Sequence, residues 1–257
     1  MYSSNPLLEA RHLVKTYAQS APAVNDVSFS IERGETLGLV GESGSGKSTI
    51  ARMVMGLIEP TSGSVLFDGQ TLTGLAPRKM RRLRRRLQIV FQDPYAALNP
   101  RMRVEDIVAE PLIIHRACPR SGLRAKVAEL LRASGLDDSA MPRYPHEFSG
   151  GQRQRINIAR ALALRPELIV LDEPLSALDV SVAAQIANLL RDLQRDFSLT
   201  YLFISHSMPM VRYLSTRIAV LHNGRMVEYG DTAQICNAPR ESYTQTLIAA
   251  TPEIRTA

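Results

Sequence analysis

Apolar positions recur along this chain with two periods, and the switches between them predict its elements. In "AVNDVSFSI" (23–31), Val27, Phe29 and Ile31 fall on one side of an extended backbone, the period of a half-buried strand. "ETLGLV" (35–40), "SGSVLFDGQ" (62–70), "LQIVF" (87–91) and "LTYLFISHS" (199–207) read as further strands between turn residues. In "ELIVLDEP" (167–174) the run Leu168 to Leu171 is continuously apolar, the mark of a strand buried on both faces of a parallel sheet. The period changes to 3.6 in 104–116 and 123–135, the latter closed by Gly135 as a C-cap, and again in 151–163 through Ile156, Ala159, Leu162 and Ala163. A later helix carries the stripe Val182, Ile186, Leu189, Leu190 and Leu193. Residues 217–230 form a hairpin turning at Asn223-Gly224, and the chain from 231 reads as helical.

Two strand ends carry the chemistry. After the strand 35–40, "GESGSGKST" (41–49) fills G-x-x-x-x-G-K-[ST] through Gly41, Gly46, Lys47 and Ser48, and a helix follows. Glycines there let backbone N–H groups turn inward around phosphate oxygens. The helix N-terminus adds positive potential, Lys47 neutralises β- and γ-phosphates, and the Ser48 hydroxyl suits Mg2+. After 168–171 come Asp172 and Glu173, whose side chains leave an extended backbone in opposite directions. Asp172 suits the Mg2+ side, and Glu173 suits orienting and deprotonating a water.

"EFSGGQRQR" (147–155) raises a question. Ser149 and Gln152 make an S-x-x-Q capping box, yet Gly150 and Gly151 occupy that same first turn. Each costs a helix about 1 kcal/mol relative to alanine. A capping box explains Ser149 and Gln152, and something else must explain the glycines.

Composition narrows the setting. Seven of the 31 Lys and Arg lie in "RKMRRLRRR" (78–86), and the remaining 24 nearly balance 25 acids, so the formal charge of +6 is local. The run reads first as a solvated basic helix before a strand, next as a surface for anionic lipid or acidic protein, and last as a nucleic-acid site. Six Phe, eight Tyr and no Trp leave few aromatics to interleave with it, so no nucleic-acid partner is expected. Cys118 and Cys236 are far apart, which suits a reducing cytosol. The N-terminal stretch is no secretory signal, and no apolar stretch nears the ~18 residues of a spanning helix, so any membrane role is peripheral.

Taken together, the motifs resemble the nucleotide-binding subunits of ABC transporters, in order from about residue 7 to 250. "GESGSGKST" is similar to Walker A, so that Gly41, Glu42, Ser43, Gly44, Ser45, Gly46, Lys47, Ser48 and Thr49 become ATP-binding positions. "LIVLDE" is similar to Walker B, "FSGGQ" to the signature, "VFQDP" to the Q-loop with Gln92, and "SALD" to the D-loop with Asp179. His206 resembles the switch histidine, and Tyr17 stands where the family has an aromatic that stacks on adenine, although an ordinary strand aromatic would read the same.

The resemblance implies an α/β P-loop NTPase with a mostly parallel core sheet, a small antiparallel β subdomain and an inserted helical subdomain. It places the catalytic core and β subdomain at 1–92 and 164–230, the helical subdomain at 93–163 and a helical tail at 231–257. It makes Glu173, His206 and Gln92 catalytic, with Ser48, Gln92 and Asp172 at Mg2+. It also implies head-to-tail pairing, in which Ser149, Gly150, Gly151 and Gln152 close on ATP held by the opposite subunit. The other histidines, His12, His115, His146 and His222, read as structural. "SHSMPMV" lacks the family's Asp after the histidine, and Ser207 is expected to cap the next helix in its place.

"VFQDPYAALNPRMRVEDIVAEPL" (90–112) and "HEFSGGQRQRI" (146–156) resemble the importer subgroup that handles oligopeptides, dipeptides, nickel or metal–metallophore complexes. That implies two integral membrane permeases, a second ABC ATPase (a heterodimer favoured over a homodimer), an extracytoplasmic solute-binding protein, and a peripheral position on the cytoplasmic face of a bacterial inner membrane. Residues near 93–110 are the candidate docking surface, unless Val104, Ile107 and Val108 are core. "RESYTQTLIAATP" (240–252) is similar to the subgroup's H-P-Y-T-Q-x-L element with Glu241 and Ser242 replacing His and Pro, and no regulatory extension is expected after it. The rivals are a soluble ABC ATPase, a P-loop kinase or GTPase, for which "FSGGQ" has no use, and a nucleotide sensor without turnover.

Overall fold

Leu8–Lys15 opens the first of two sheets in a computed structural model that describes residues 5–18 and 21–250. The chain divides into two compact units, one formed by Met1–Arg82 with Thr200–Ala257 and the other by Leu83–Leu199. In chain order the first unit begins with β1 (Leu8–Lys15), β2 (Val24–Ile31), β3 (Thr36–Val40), α1 (Lys47–Val54), β4 (Ser62–Phe67), β5 (Gln70–Thr71) and α2 (Pro77–Leu83). The second unit holds β6 (Leu87–Val90), α3 (Val104–Ile114), α4 (Leu123–Ala133), α5 (Gly150–Leu162), β7 (Leu168–Asp172) and α6 (Val180–Phe197). The chain then returns to the first unit with β8 (Thr200–Ser205), α7 (Met208–Leu214), β9 (Arg217–His222), β10 (Arg225–Asp231), α8 (Thr232–Asn237) and α9 (Ser242–Ala249).

In the first unit, β2-β1-β4-β5 make an antiparallel sheet. The stretch 62–70 is therefore not one strand. Asp68 and Gly69 both take left-handed φ (51° and 73°) and fold it into a tight hairpin, β4 to β5. The other strands of this unit run β10-β9-β3-β8, with β3 parallel to both β8 and β9 and the β9–β10 hairpin antiparallel. Every residue of β3 and of β8 is buried. Arg217, at the start of β9, donates to both carboxylate oxygens of buried Glu35 (2.5 and 2.8 Å), which fixes β9 against the turn before β3. Its hydrogen bonding to the Glu35 carboxylate holds the Arg217 guanidinium above its usual range.

Gly38, in the middle of β3, shows how tightly this sheet is covered. A Cβ there would stand 2.5 Å from both Ser215 Oγ and Val211 Cγ1, so α7 presses directly on bare backbone. On the basic run, Arg78, Lys79, Arg81 and Arg82 of α2 are exposed while Met80 is buried, with its terminal methyl against Gly56. α2 is thus a basic helix with its charged side chains toward solvent and Met80 and Leu83 buried.

In the second unit β6 pairs parallel with β7, Val90 opposite Leu171. Arg86, the last residue of the basic run, is not free in solvent but is paired bidentately with Glu167, just before β7. Val104, Ile107 and Val108 of α3 are buried at 2% exposure or less, so these three belong to the helical core and offer nothing to a docking partner. α4 ends as its glycine implied: Leu136 N–H reaches Leu131 O and Gly135 N–H reaches Arg132 O, the paired bonds of a Schellman cap.

Gly38→Ala is expected to destabilise the full chain by about 1–3 kcal/mol, the range for forced overpacking. Urea denaturation checks this. An unchanged midpoint would mean that α7 yields without strain.

Candidate functional site

On the first unit, β3 delivers Val40 into the glycine loop, and parallel β8 delivers Ser205 opposite Val40. Gly41 and the exposed His206 therefore leave neighbouring strands at the same edge. Gly46 has φ +106°, and a Cβ on it would come within 2.4 Å of Ala23 O, so no other residue fits. A Cβ on Gly41 would stand 2.2 Å from Leu221 O. At Gly44 the loop faces open space, with nothing among the described residues within 4 Å of such an atom. α1 starts directly after Gly46 with no side-chain cap and no acid in its first turn.

Lys47 is 5% exposed, and its ammonium donates to the carbonyls of Gly41 and Glu42 (2.7 Å each) and to Ser45 Oγ (3.5 Å). A buried cation among loop oxygens, beside an acid-free and uncapped helix start, is suited to an anion. The loop thus fits a nucleotide polyphosphate. Tyr17 lies just past β1, 44% exposed, with Lys15 Nζ 5.3 Å from its ring centroid.

On the second unit the parallel pair β6 and β7 brings Gln92 and Glu173 together: Gln92 Nε2 donates to Glu173 Oε2 at 3.2 Å. Glu173 has φ +49°, a left-handed backbone unusual for a residue with this side chain, directly after the buried Asp172. Its own carbonyl accepts from Ser176 Oγ (3.0 Å).

The turns carrying these residues are gripped by one face of α5. Gln154 Nε2 donates to Pro174 O (2.8 Å), Asn157 Nδ2 to Pro94 O (3.4 Å) and Arg160 Nη1 to Ala97 O (2.7 Å). Burial pushes the Arg160 guanidinium down from its ordinary value, against the pull of Glu110. Sequence reading passed over these three, although polar residues at i, i+3 and i+6 on an otherwise apolar face were the available signal.

At the start of α5 the capping box is present: Gln152 N–H to Ser149 Oγ (3.4 Å) and Ser149 N–H to Gln152 Oε1 (3.0 Å). The two glycines separate. A Cβ on Gly151 would stand 2.4 Å from Val182 Cγ1, whereas at Gly150 the nearest atom would be Leu178 Cδ2, at an ordinary 3.4 Å. Val182 is held by Asp179, whose Oδ1 caps its N–H (2.9 Å). Gly151 is thus required by packing inside the chain, and the exposed Gly150 is not. His206 is followed by a further departure from expectation. Ser207 occupies the N-cap position of α7, but its side chain makes no cap bond, and its N–H donates to Ser205 Oγ (3.0 Å).

A glycine loop joining a buried strand to a helix, with a buried lysine and no acid in the helix's first turn, defines a P-loop nucleotide-binding protein. The model of the ABC transporter family matches residues 24–176. The chain is 51% identical to the oligopeptide transport ATP-binding protein OppF of Bacillus subtilis, across 96% of this chain and 82% of that one. It is 49% identical to the glutathione import ATP-binding protein GsiA of Escherichia coli K12, spanning 96% of this chain and 41% of that longer protein. Among solved structures, CbiO1 of Clostridium perfringens, part of the ABC transporter complex CbiONQ, superposes with a TM-score of 0.81 at 27% identity, covering 90% of each chain. The ATP-binding cassette MJ0796, in a dimeric post-hydrolysis state bound to ADP and Pi, gives 0.79 at 30% identity over 88% of this chain and 98% of that one. This chain belongs to the ABC transporter family and is an ATP-binding ABC ATPase.

Gly151→Ala is expected to lower the thermal midpoint, at a cost of about 1–3 kcal/mol from overpacking against Val182. Gly150→Ala is expected to leave the midpoint unchanged or raise it, because alanine favours a helix. Thermal melts of the two full-length variants check the difference, and equal melts would remove the distinction.

Proposed function

We propose that the chain hydrolyses ATP on the cytoplasmic face of a bacterial inner membrane to drive import of peptide-class solutes through two permease subunits. Hydrolysis, beyond nucleotide holding, is carried by one observation: the Gln92 amide grips one oxygen of a Glu173 carboxylate on a left-handed backbone. The importer and peptide readings rest on likeness to relatives named for oligopeptide transport and glutathione import. No helix among the described residues is long and apolar enough to cross a membrane, which supports a peripheral subunit.

In this reading Lys47, Gly44 and the first turn of α1, including Ser48 and Thr49, hold the β- and γ-phosphates, and Tyr17 stacks on adenine. Ser48, Gln92 and Asp172 supply oxygens for Mg2+, and their hard hydroxyl, amide and carboxylate set fits that ion. Bound Mg2+ offsets charge on the phosphates. Glu173 orients the attacking water and takes its proton, while His206 steadies the γ-phosphate. An exposed glycine, Gly150, in the first turn of α5 suits close approach of nucleotide held by a second ATPase, which supports head-to-tail pairing, with a sister ATPase preferred to a second copy. An extracytoplasmic binding protein completes the importer.

Glu173→Gln is expected to retain ATP binding and lose about 10²- to 10⁴-fold in turnover, the usual share of a general base. Single-turnover hydrolysis by the membrane complex checks this, and wild-type turnover would remove Glu173 from the role. Tagged chain extracted from native membranes in detergent is expected to bring down two permeases, with mass spectrometry identifying them. Recovery only from the soluble fraction, alone or with ribosomes or DNA, would overturn the importer reading.

A further inference from the structure

The glycine loop is touched from a direction that nucleotide chemistry does not require. Tyr243, half-buried in α9, points its hydroxyl at the loop and accepts from Glu42 N–H at 3.1 Å. Its ring stacks on His222 at the end of β9, centroids 3.9 Å apart and planes 10° from parallel. The segment leading into α9 is fixed in turn to β10. Glu228, which is buried, accepts from Arg240 N–H (2.9 Å) and Glu241 N–H (3.3 Å). Burial pushes this carboxyl up, but the groups around it, the Arg240 N–H foremost, together hold it below the usual range. The same hairpin meets the loop again at Gly224, whose N–H donates to Ser45 O (3.1 Å).

The bond to Tyr243 and the bond to Lys47 fall on one peptide unit. Gly41 O accepts from Lys47 Nζ while Glu42 N–H donates to Tyr243, and the planar amide fixes these two groups on opposite sides. Lys47 must release loop carbonyls as it turns toward phosphate. The Gly41–Glu42 peptide, with a glycine on one side, then keeps one external tie among the described residues, the Tyr243 hydroxyl. We infer that Tyr243 is a positioning residue for the phosphate loop, holding the Gly41–Glu42 peptide in its nucleotide-ready orientation after Lys47 has left it. The inference rests on the reading of this loop as the ATP site. It gives the C-terminal helix a part in nucleotide affinity and none in the chemical step.

The test uses the full chain in its membrane complex, with MgATP titrated for both binding and hydrolysis. Tyr243→Phe keeps the His222 stack and removes only the hydroxyl. Its KM and dissociation constant for ATP are expected to rise about fivefold, the loss of one ordinary hydrogen bond, with kcat unchanged. His222→Ala, which keeps the hydroxyl but frees the ring, is expected to shift the same two constants in the same direction. Tyr229→Phe loses a hydroxyl bonded to Ser30 O (3.2 Å) and is expected to change neither, which controls for loss of a tyrosine hydroxyl elsewhere in the same unit. Wild-type affinity in Tyr243→Phe, or a fall in kcat at constant KM, would overturn the inference. Failure of the wild-type chain to bind ATP would instead overturn the reading of the loop itself.

Discussion

Strands covered on both faces leave a chain only their ends for chemistry. β3, β7 and β8 are buried at every position, so a charge in the middle of one of them would be stripped of water. Polar groups therefore gather where each strand stops: the glycine loop after Val40, Asp172 and Glu173 at the end of β7, His206 after Ser205. The parallel pairing turns this restriction into placement. Val40 lies level with Ser205, and Val90 with Leu171, so residues distant in sequence emerge side by side.

The loops beyond these strand ends have no sheet or helix bonding of their own and must be held by their neighbours. In the second unit that task falls to α5, whose Gln154, Asn157 and Arg160 bind backbone carbonyls on both sides of the Gln92–Glu173 pair. Carbonyls are indifferent to the side chain that carries them, so this grip constrains the path of the loops and leaves their residues free for chemistry. The helix whose first turn carries Gly150 is the same one that holds the turns after Gln92 and Glu173. In the first unit the β9–β10 hairpin and Tyr243 do the corresponding work for the glycine loop.

Much of this was legible in the sequence because short-range rules govern it. The continuous run at 168–171, the Asn223-Gly224 turn, Gly135 as a helix stop and the capping box at Ser149 each depend on neighbours within a few residues. Expectation and structure part at one local turn that was passed over, at one cap bond that does not form, and where a distant partner decides. The stretch 62–70, expected as one strand between turn residues, is split by its own Asp68-Gly69 turn, and Ser207 holds the N-cap position of α7 without a side-chain cap bond. The contact of Val182 with Gly151 and that of Tyr243 with Glu42 join positions 31 and 201 residues apart, and no local pattern announces them. The signature glycines, read as one feature, proved to be two: one fixed by the chain's own packing and one left open.

The left-handed backbone at Glu173 has a consequence for how this protein tolerates change. Holding a long side chain in that conformation costs on the order of 1 kcal/mol, and asparagine or glycine would relieve it. Selection for a sturdier fold alone would therefore drift toward losing the carboxylate, since relief of strain and loss of that group come with the same substitution. Among chains of this fold that have ceased to turn over ATP, this position is where added stability would be found.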